Sequence, residues 1–155
     1  MNDALAAALE RELLAEIPLA HAMQLRVGAR DTDSVTLSAP LAPNINDKGC
    51  AFGGSLASLL TLAGWALVVL RLRERGEDSD VYVQDSQLAY RAPIWSDFDA
   101  IARLAAGESW VDFDAAMAAR GKARLRVAVV VRDAAGTDAV LAEARFVALR
   151  RALQR

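Results

Sequence analysis

The sequence predicts an α+β fold in which a curved antiparallel sheet of about six strands wraps around one long apolar central helix. Residues 49–70 carry no charged side chain, so the helix predicted over residues 53–75 is apolar on nearly every side, as in a helix buried all round. Six other segments alternate apolar and polar residues, which is the pattern of strands with one buried face. At 155 residues, the whole chain (1–155) is expected to form a single domain.

The first helix is predicted within residues 1–17. Leu5, Leu9 and Leu13 recur at four-residue spacing and so share one helix face, and Pro18 follows them. We expect this helix to be an amphipathic cover on the core, ending at the proline.

Period-two alternation begins at residue 23 and predicts all six strands. A short helix is expected between the fourth and fifth strands, because Ser109 can cap its start and Gly121 can end it. A sheet of this kind leaves an edge strand exposed, and pairing two edges across a two-fold axis protects both, so we expect a homodimer or a dimer of dimers. The predicted strands cover residues 23–28, 34–39, 80–91, 97–105, 122–132 and 139–149.

Composition argues against several classes of function. The chain is 54% hydrophobic and 25% charged with a net charge of -2, which is typical of a folded globular protein. No basic cluster is interleaved with aromatic residues, so a nucleic-acid partner is not expected. The N-terminus lacks the basic and then apolar pattern of a secretory signal, and charged residues follow the uncharged run at once. We therefore expect a cytoplasmic protein without a membrane span.

The chain has one cysteine, Cys50, and one histidine, His21. These counts leave no thiolate zinc framework, and no Ser-His-Asp or Cys-His relay unless His21 takes part. Cys50 has no histidine near it in sequence, so we interpret it as a small buried residue. His21 lies between the first helix and the first strand and is assigned a structural or surface role. No metal site is expected.

Residues 43–55, PNINDKGCAFGGS, form a candidate oxyanion site. They lead into the central helix, whose first N–H groups lack intrahelical partners and whose dipole favours negative charge. Gly53 and Gly54 are the candidate donors, since glycine lets a substrate approach the backbone closely. Without a ligand, the same glycines form only a tight loop-to-helix turn. Asn44 and Asn46 either orient a water or the carbonyl, or are ordinary turn formers.

A resemblance to a known family rests on the order of elements and on three segments: PLAPNINDKGCAFGGSLASLLTLAGWALV, DSQLAYRAPIWSDF and GKARLRV. Together they resemble a hotdog-fold domain, most similar to the thioesterases typified by the YiiD C-terminal domain. The resemblance implies hydrolysis of an acyl thioester in a pocket at a dimer interface, with the acyl chain beside the central helix. The substrate would be an acyl-CoA or an acyl carrier, so coenzyme A enters as part of the substrate and no separate cofactor is expected.

Several residues are candidates for activating the water. Many hotdog thioesterases carry Asp or Glu on the central helix, whereas this chain has Thr61 where one such subfamily has its Asp. Asp85 is the candidate base, because period-two counting from Val81 and Val83 places it on the inward face of a strand. The alternative for Asp85 is an outward acid. Asp47 is a further candidate for a site shared across the dimer interface, or else a solvated loop acid.

The candidate substrate-binding residues are Asp47, Phe52, Ser55, Ser58 and Thr61. The last three recur every third residue and Gly64 continues the spacing, so this stripe either faces a ligand tunnel or lets a strand pack closely. Serines in the first turns of a helix also cap it or bond its main chain. The stripe therefore has a functional and a structural interpretation.

The sequence thus predicts an acyl-CoA thioesterase whose catalytic residues are Asn44, Asn46, Gly53, Gly54 and Asp85. The alternative is a non-catalytic acyl-CoA or acyl-carrier binding module of the same fold, which is favoured by the absence of a helix carboxylate at Thr61. A hydratase on this fold is disfavoured, because such enzymes depend on a histidine in the loop or helix region.

Overall fold

The computed structural model describes residues 3–153, which contain four α-helices and six β-strands. The first two residues of the predicted helix 1–17 lie outside the described residues. The helices are α1 (Ala4–Glu16), α2 (Pro18–Ala22), α3 (Gly53–Glu74) and α4 (Trp110–Arg120), and short 3-10 turns cover Ala42–Asn44 and Arg151–Leu153. The strands are β1 (Arg26–Arg30), β2 (Ser34–Ala39), β3 (Ser79–Tyr90), β4 (Phe98–Leu104), β5 (Lys122–Arg132) and β6 (Asp138–Arg150).

All six strands belong to one antiparallel sheet with the order β1-β2-β4-β5-β6-β3. One face of the sheet packs on α3, which contacts every strand from β2 to β6, and the alternation of buried and exposed residues along β5 follows from this. The predicted α+β architecture is therefore confirmed. Within the described chain, β1 and β3 are the two edges of the sheet.

Helix α3 is the core of the molecule. A Cβ built on Gly64 would lie 2.7 Å from Cε2 of Phe146, a fully buried ring on β6. At Gly64, the last residue of the stripe that begins at Ser55, close packing of a strand is therefore the explanation, and not a ligand tunnel. Among residues 3–153, α3 is the one helix long and apolar enough to cross a membrane, but most of it is buried within the fold, as in a core helix.

The connection from α1 to β1 differs from the prediction. Helix α1 ends at Glu16, but Pro18 then begins the short helix α2. Helix α2 was not predicted because proline is excluded from a helix interior; in the first turn, however, proline is well tolerated, since its missing N–H would be unpaired anyway.

The first predicted strand also begins too early. Met23 and Leu25 are buried as expected, but Gln24 between them has φ 56°, a left-handed conformation that no strand contains. Strand β1 starts only at Arg26. The alternation at residues 23–25 thus reflects burial of a turn and not of a strand.

The second half of the chain follows the prediction closely. Ser109 caps α4 by accepting a hydrogen bond from the N–H of Asp112, and Gly121 ends the helix with φ 65°. Helix α3 ends at Glu74, one residue before the predicted end. These elements were predictable because local caps and turns fix their boundaries.

Candidate active site

The start of α3 is open. Phe52 occupies the N-cap position, and within residues 3–153 no side chain caps this helix end. The N–H of Leu56 donates to Phe52 O at 3.0 Å, so the N–H groups of Gly53, Gly54 and Ser55 are left without a protein partner in the described structure. Three free donors at the positive end of a 22-residue helix are an arrangement that favours the binding of an anion.

A tight loop holds this helix end in place. Asp97, just before β4, accepts from the N–H of Leu41 at 2.8 Å. Further along, the N–H of Ala51 donates to Ile94 O at 2.8 Å, and the N–H of Phe52 donates to Asn44 O at 2.7 Å. These bonds fix both ends of the loop, so the donors at Gly53 and Gly54 are preorganised.

Asn44 belongs to the framework of this loop. Its side chain is 1% exposed, and Nδ2 donates to Met23 O at 3.0 Å and to Pro40 O at 2.8 Å. Oδ1 is buried and has no hydrogen-bond partner among the described residues. Asn44 therefore ties the loop to the turn before β1.

Asn46 and Asp47 lie at the tip of the loop. Oδ1 of Asn46 accepts from the N–H of Lys48 at 2.8 Å, and Nδ2 donates to Sγ of Cys50 at 3.2 Å, an arrangement typical of a turn-forming asparagine. The side chain of Asp47 is 81% exposed, and the ammonium of Lys48 lies 3.0 Å from its carboxylate. Among the hydrogen bonds of the described residues, none directs either side chain to the start of α3.

Asp85 does not face inward, so that expectation is wrong. Val83 pairs with the buried Phe146, but Asp85 pairs with the adjacent Arg145, so a β-bulge makes Gln84 an extra residue. The bulge shifts the side-chain alternation by one and places Asp85 on the outer face with Arg145, 3.8 Å from its guanidinium. The Asp85 side chain is 60% exposed on that face.

Tyr90 was not singled out from the sequence, yet it reaches the site. After the bulge, Tyr90 pairs with the buried Val140 and shares its inward face, and its hydroxyl donates to Gly53 O at 3.2 Å. The ring of Phe52 lies against Gly54. Side-chain alternation counted back from the turn after β3 places Tyr90 on the inward face. Alternation counted forward from Val81 through the bulge places Tyr90 on the outer face, which is wrong.

With this geometry established, the chain can be compared with known proteins. Residues 6–150 match the family model described as "Putative thioesterase (yiiD_Cterm)". The chain belongs to this family. The resemblance stated from the sequence is therefore confirmed over nearly the whole chain.

Solved structures show the same fold for this YiiD-type chain. A "putative thioesterase" from Shewanella oneidensis is 27% identical with a TM-score of 0.85, covering 96% of this chain and 99% of that one. A protein of unknown function from Chlorobaculum tepidum is also 27% identical, with a TM-score of 0.88 and 94% coverage of both chains. A thioesterase from Haemophilus influenzae, 14% identical with a TM-score of 0.74, covers 94% of this chain and 90% of its own and shares the fold. The fold is the hotdog fold.

In this family member the hydroxyls of α3 bond to their own helix. Oγ of Ser58 donates to Gly54 O and Oγ1 of Thr61 donates to Ala57 O, each at 2.8 Å. These bonds are the back-bonding that serines and threonines make in helices. Both residues are only half-buried, and Ser55 likewise remains half-buried in the first turn. The hydroxyl stripe therefore has structural partners at two of its positions.

The remaining candidates lie apart from the start of α3 or are structural. Cys50 is buried, as predicted, and His21 is exposed within α2. Apart from these candidates, Arg71 of α3 pairs with Asp114 and stacks on the Trp110 ring at 5.3 Å, so it fastens α4 to α3. No group of three His, Cys, Asp or Glu side chains arranged to hold a metal occurs in the described part of the chain.

Proposed function

We propose that the protein hydrolyses acyl thioesters by attack of water at the start of α3. The observation that carries the proposal is the open helix end at Gly53 and Gly54, in a chain of a thioesterase family and fold. A thioester carbonyl is neutral, but its oxygen becomes anionic as water adds. Donors that are fixed in advance at the developing oxyanion favour that transition state over the ground state.

The proposed reaction has two steps. Water adds to the carbonyl carbon while a base takes its proton, and the oxyanion accepts from the N–H groups of Gly53 and Gly54. The tetrahedral intermediate then expels the thiolate, which takes up a proton and leaves as the thiol, and the carboxylic acid remains. One well-placed oxyanion donor contributes about 2.7–4 kcal/mol to such a step.

The base in this proposal is a carboxylate supplied by a second copy of the chain. Thr61 offers no carboxylate on α3, and the bulge turns Asp85 to the outer face of the sheet. Asp47 fits better, since it stands out from the loop next to the helix start, and Lys48 is its one ionic partner among residues 3–153. We therefore propose Asp47 of the second copy as the base, in place of Asp85.

The second copy is proposed to pair along β3. This strand has no neighbour beyond it in the described chain, and it exposes Tyr82 and Val83 next to the sheet edge. An unprotected edge with large apolar side chains is stabilised by pairing with another strand. A two-fold dimer would thereby extend the sheet and bring the two α3 starts into pockets shared by both copies. The proposed substrates are coenzyme A thioesters, and the proposed location is the cytoplasm.

The first experiment removes a single donor. Gly53 is the first helical residue, and Phe52 before it has φ -67° and ψ 132°, a conformation that a following proline accepts. Gly53→Pro therefore deletes one N–H and leaves the helix intact. Gly53→Ala keeps the N–H, and its Cβ would meet the Tyr90 ring only at 3.7 Å.

We expect kcat of Gly53→Pro to lie about 10²–10³-fold below that of Gly53→Ala. The assay follows thiol release from acyl-CoA substrates ranging from acetyl to long-chain, with unfolding curves of both variants as the check on folding. Equal turnover by the two variants would remove Gly53 from the mechanism. Absence of turnover by the native protein on every acyl length would reject the hydrolase.

The alternative function is a non-catalytic module that binds acyl-CoA or an acyl carrier. It is favoured by one observation, the hydroxyl of Thr61 in place of a helix carboxylate. Calorimetric binding of an acyl-CoA without release of thiol over hours would support this alternative, whereas turnover that exceeds spontaneous hydrolysis would exclude it.

A further inference from the structure

The ring of Phe52 lies against the backbone of Gly54. A Cβ built on Gly54 would lie 2.3 Å from Cε2 and 2.8 Å from Cζ of this ring. Real Cβ atoms essentially never approach another atom so closely, so any larger residue at position 54 must displace the ring. Of the two neighbouring glycines, Gly54 is thus the one whose missing side chain makes room for Phe52.

This ring covers part of the open end of α3. The Cα–Cβ bond of a helical residue tilts toward the helix N-terminus, so a ring at the Cβ position of Gly54 lies on the side where the free N–H groups are found. Phe52 is nevertheless 53% exposed, so the core does not lock its side chain. A group that bonds to these N–H groups must therefore contact the ring or move it.

Three other large apolar side chains are exposed around the same helix end. Tyr90, 54% exposed, donates to Gly53 O; Ile45 lies on the loop where it bridges to Ala51; and Trp95, 62% exposed, follows Ile94, whose carbonyl binds Ala51. We call Ile45, Phe52, Tyr90 and Trp95 the apolar collar. A polar donor site surrounded by apolar side chains fits a ligand with one polar group and an apolar body.

We propose that Phe52 is a specificity-determining residue whose ring, held against Gly54, lines the acyl group of a bound thioester, so that the site selects apolar acyl groups over hydroxylated ones of equal length. The inference rests on the proposed thioester site at Gly53 and Gly54. An apolar chain gains from burial against the ring, whereas a hydroxyl in the same place loses water without gaining a partner. Gly54 is then small in order to receive the ring.

A double-mutant cycle tests this inference without relying on turnover. The variants are Phe52→Ala, Gly54→Ala and the double variant. The probes are S-(2-oxoheptyl)-CoA, a ketone analogue that cannot be hydrolysed, and its counterpart with a hydroxyl on the acyl chain. Calorimetry gives the dissociation constant of each probe, and kcat/KM for hexanoyl-CoA and 3-hydroxyhexanoyl-CoA is measured in parallel.

We expect Phe52→Ala to reduce the preference for the apolar probe about fivefold or more. Gly54→Ala displaces the ring, so in the native background it should also reduce this preference about fivefold. When Phe52 is already alanine, Gly54→Ala should change the preference by less than about twofold. Phe52→Leu retains apolar bulk and should be intermediate; it also serves if Phe52→Ala unfolds.

Several results would overturn the inference. One is an equal effect of Gly54→Ala in both backgrounds, which would mean that the substrate itself needs the glycine. Another is an unchanged preference in Phe52→Ala, and a third is failure of the native protein to bind either probe. Dissociation of Phe52→Ala into monomers by light scattering would make Phe52 an interface residue instead. Binding with the expected preference but no turnover would reject hydrolysis and leave the inference standing.

Discussion

At the scale of single residues, two residues of the same type can have different roles. Gly53 presents a free N–H and has ordinary space around it, whereas Gly54 presents a free N–H and also makes room for Phe52. Asp47 and Asp85 differ in the same way. Asp47 projects from the loop that precedes α3, and Asp85 lies on the outer face of the sheet beside Arg145.

This difference predicts unequal effects of two matched substitutions. We expect Asp47→Asn to lower kcat on the best acyl-CoA substrate by about 10²-fold or more, because an amide cannot take the proton from water. Asp85→Asn should change kcat by less than about threefold, since its partner Arg145 is on the outer face. Steady-state rates of the two purified variants provide the comparison.

Mixing variants locates Asp47 relative to the donor. If each site combines Gly53 of one copy with Asp47 of the other, a refolded equal mixture of Asp47→Asn and Gly53→Pro should recover about a quarter of native activity, since half the dimers carry one intact site of two. A mixture no more active than its components would contradict a shared site. The reverse ranking of Asp47→Asn and Asp85→Asn would restore Asp85 as the base.

At the scale of elements, α3 is fixed against the sheet by contacts that leave little free space. The ring of Phe146 on β6 fills the place where a side chain of residue 64 would lie. At the other end of the fold, Arg30 of β1 binds both Asp3, the N-cap of α1, and Glu74 at the end of α3, the latter at 2.6 Å. Packing and ion pairs thus hold the middle and the end of α3 in place.

Gly64→Ala should destabilise the protein although alanine is the better helix former. The new Cβ would lie 2.7 Å from the Phe146 ring, which is fully buried and cannot turn into solvent. We expect a loss of about 1–3 kcal/mol in the free energy of unfolding, measured by urea denaturation, against a propensity gain of at most about 1 kcal/mol. In a Phe146→Leu background the loss should shrink. A stabilised Gly64→Ala protein would contradict the packing argument.

The contact between Asp3 and Arg30 predicts a dependence of stability on pH. The hydrogen bond from the Arg30 guanidinium holds the pKa of Asp3 below its ordinary value. A carboxylate with a lowered folded-state pKa contributes stability above its unfolded pKa of about 3.9, and this contribution is lost as the pH falls through the folded value.

Asp3→Asn retains an N-cap acceptor but loses the charge, so it isolates this effect. We expect the variant to be about 0.5–1 kcal/mol less stable than the native protein at pH 7 and equally stable near pH 2. Thermal unfolding at a series of pH values measures the difference, and Glu16→Gln, an exposed acid at the end of α1, is the control. A difference independent of pH would assign the loss to capping alone.

At the scale of the whole molecule, one exposed edge of the sheet leads to the open start of α3. Strand β3 forms one edge of the sheet, and it ends at Tyr90, whose hydroxyl binds the start of α3. A partner that pairs with β3 would therefore also cover the apolar collar. The proposed dimer and the proposed site depend on the same surface.

Val83→Lys should dissociate the proposed dimer and, for the same reason, abolish thioester hydrolysis. Val83 shares the face of the buried Phe146 but remains 45% exposed, because β3 has no neighbour on its outer side. Placing an ammonium there opposes burial in an interface. We expect light scattering to give a monomer, with thioester turnover reduced to background.

Val111→Lys is the matched control, since Val111 is equally apolar and still more exposed, but lies on α4. This variant should keep the oligomeric state and the rate of the native protein. A Val83→Lys protein that remains dimeric, or a monomer that is fully active, would contradict the proposed assembly.

Most of the fold could be predicted because its signals are local. The charge-free run of α3, the cap at Ser109 and the left-handed Gly121 each define an element through residues within one or two turns. Apart from the missed helix α2, the errors arose where one residue changed the alternation of inward and outward side chains. Gln24, with its left-handed backbone, ended the alternation before β1, and the bulge at Gln84 reversed the face of every later residue in β3.

The sequence by itself determined the class of fold, the family and the position of the open helix end at Gly53, since hydrophobic period and helix-start chemistry are properties of contiguous residues. Only the tertiary structure decided which side chains reach that end. It turned Asp85 away, brought Tyr90 in and laid Phe52 on Gly54, because these contacts depend on strand register and on packing between segments far apart in the chain.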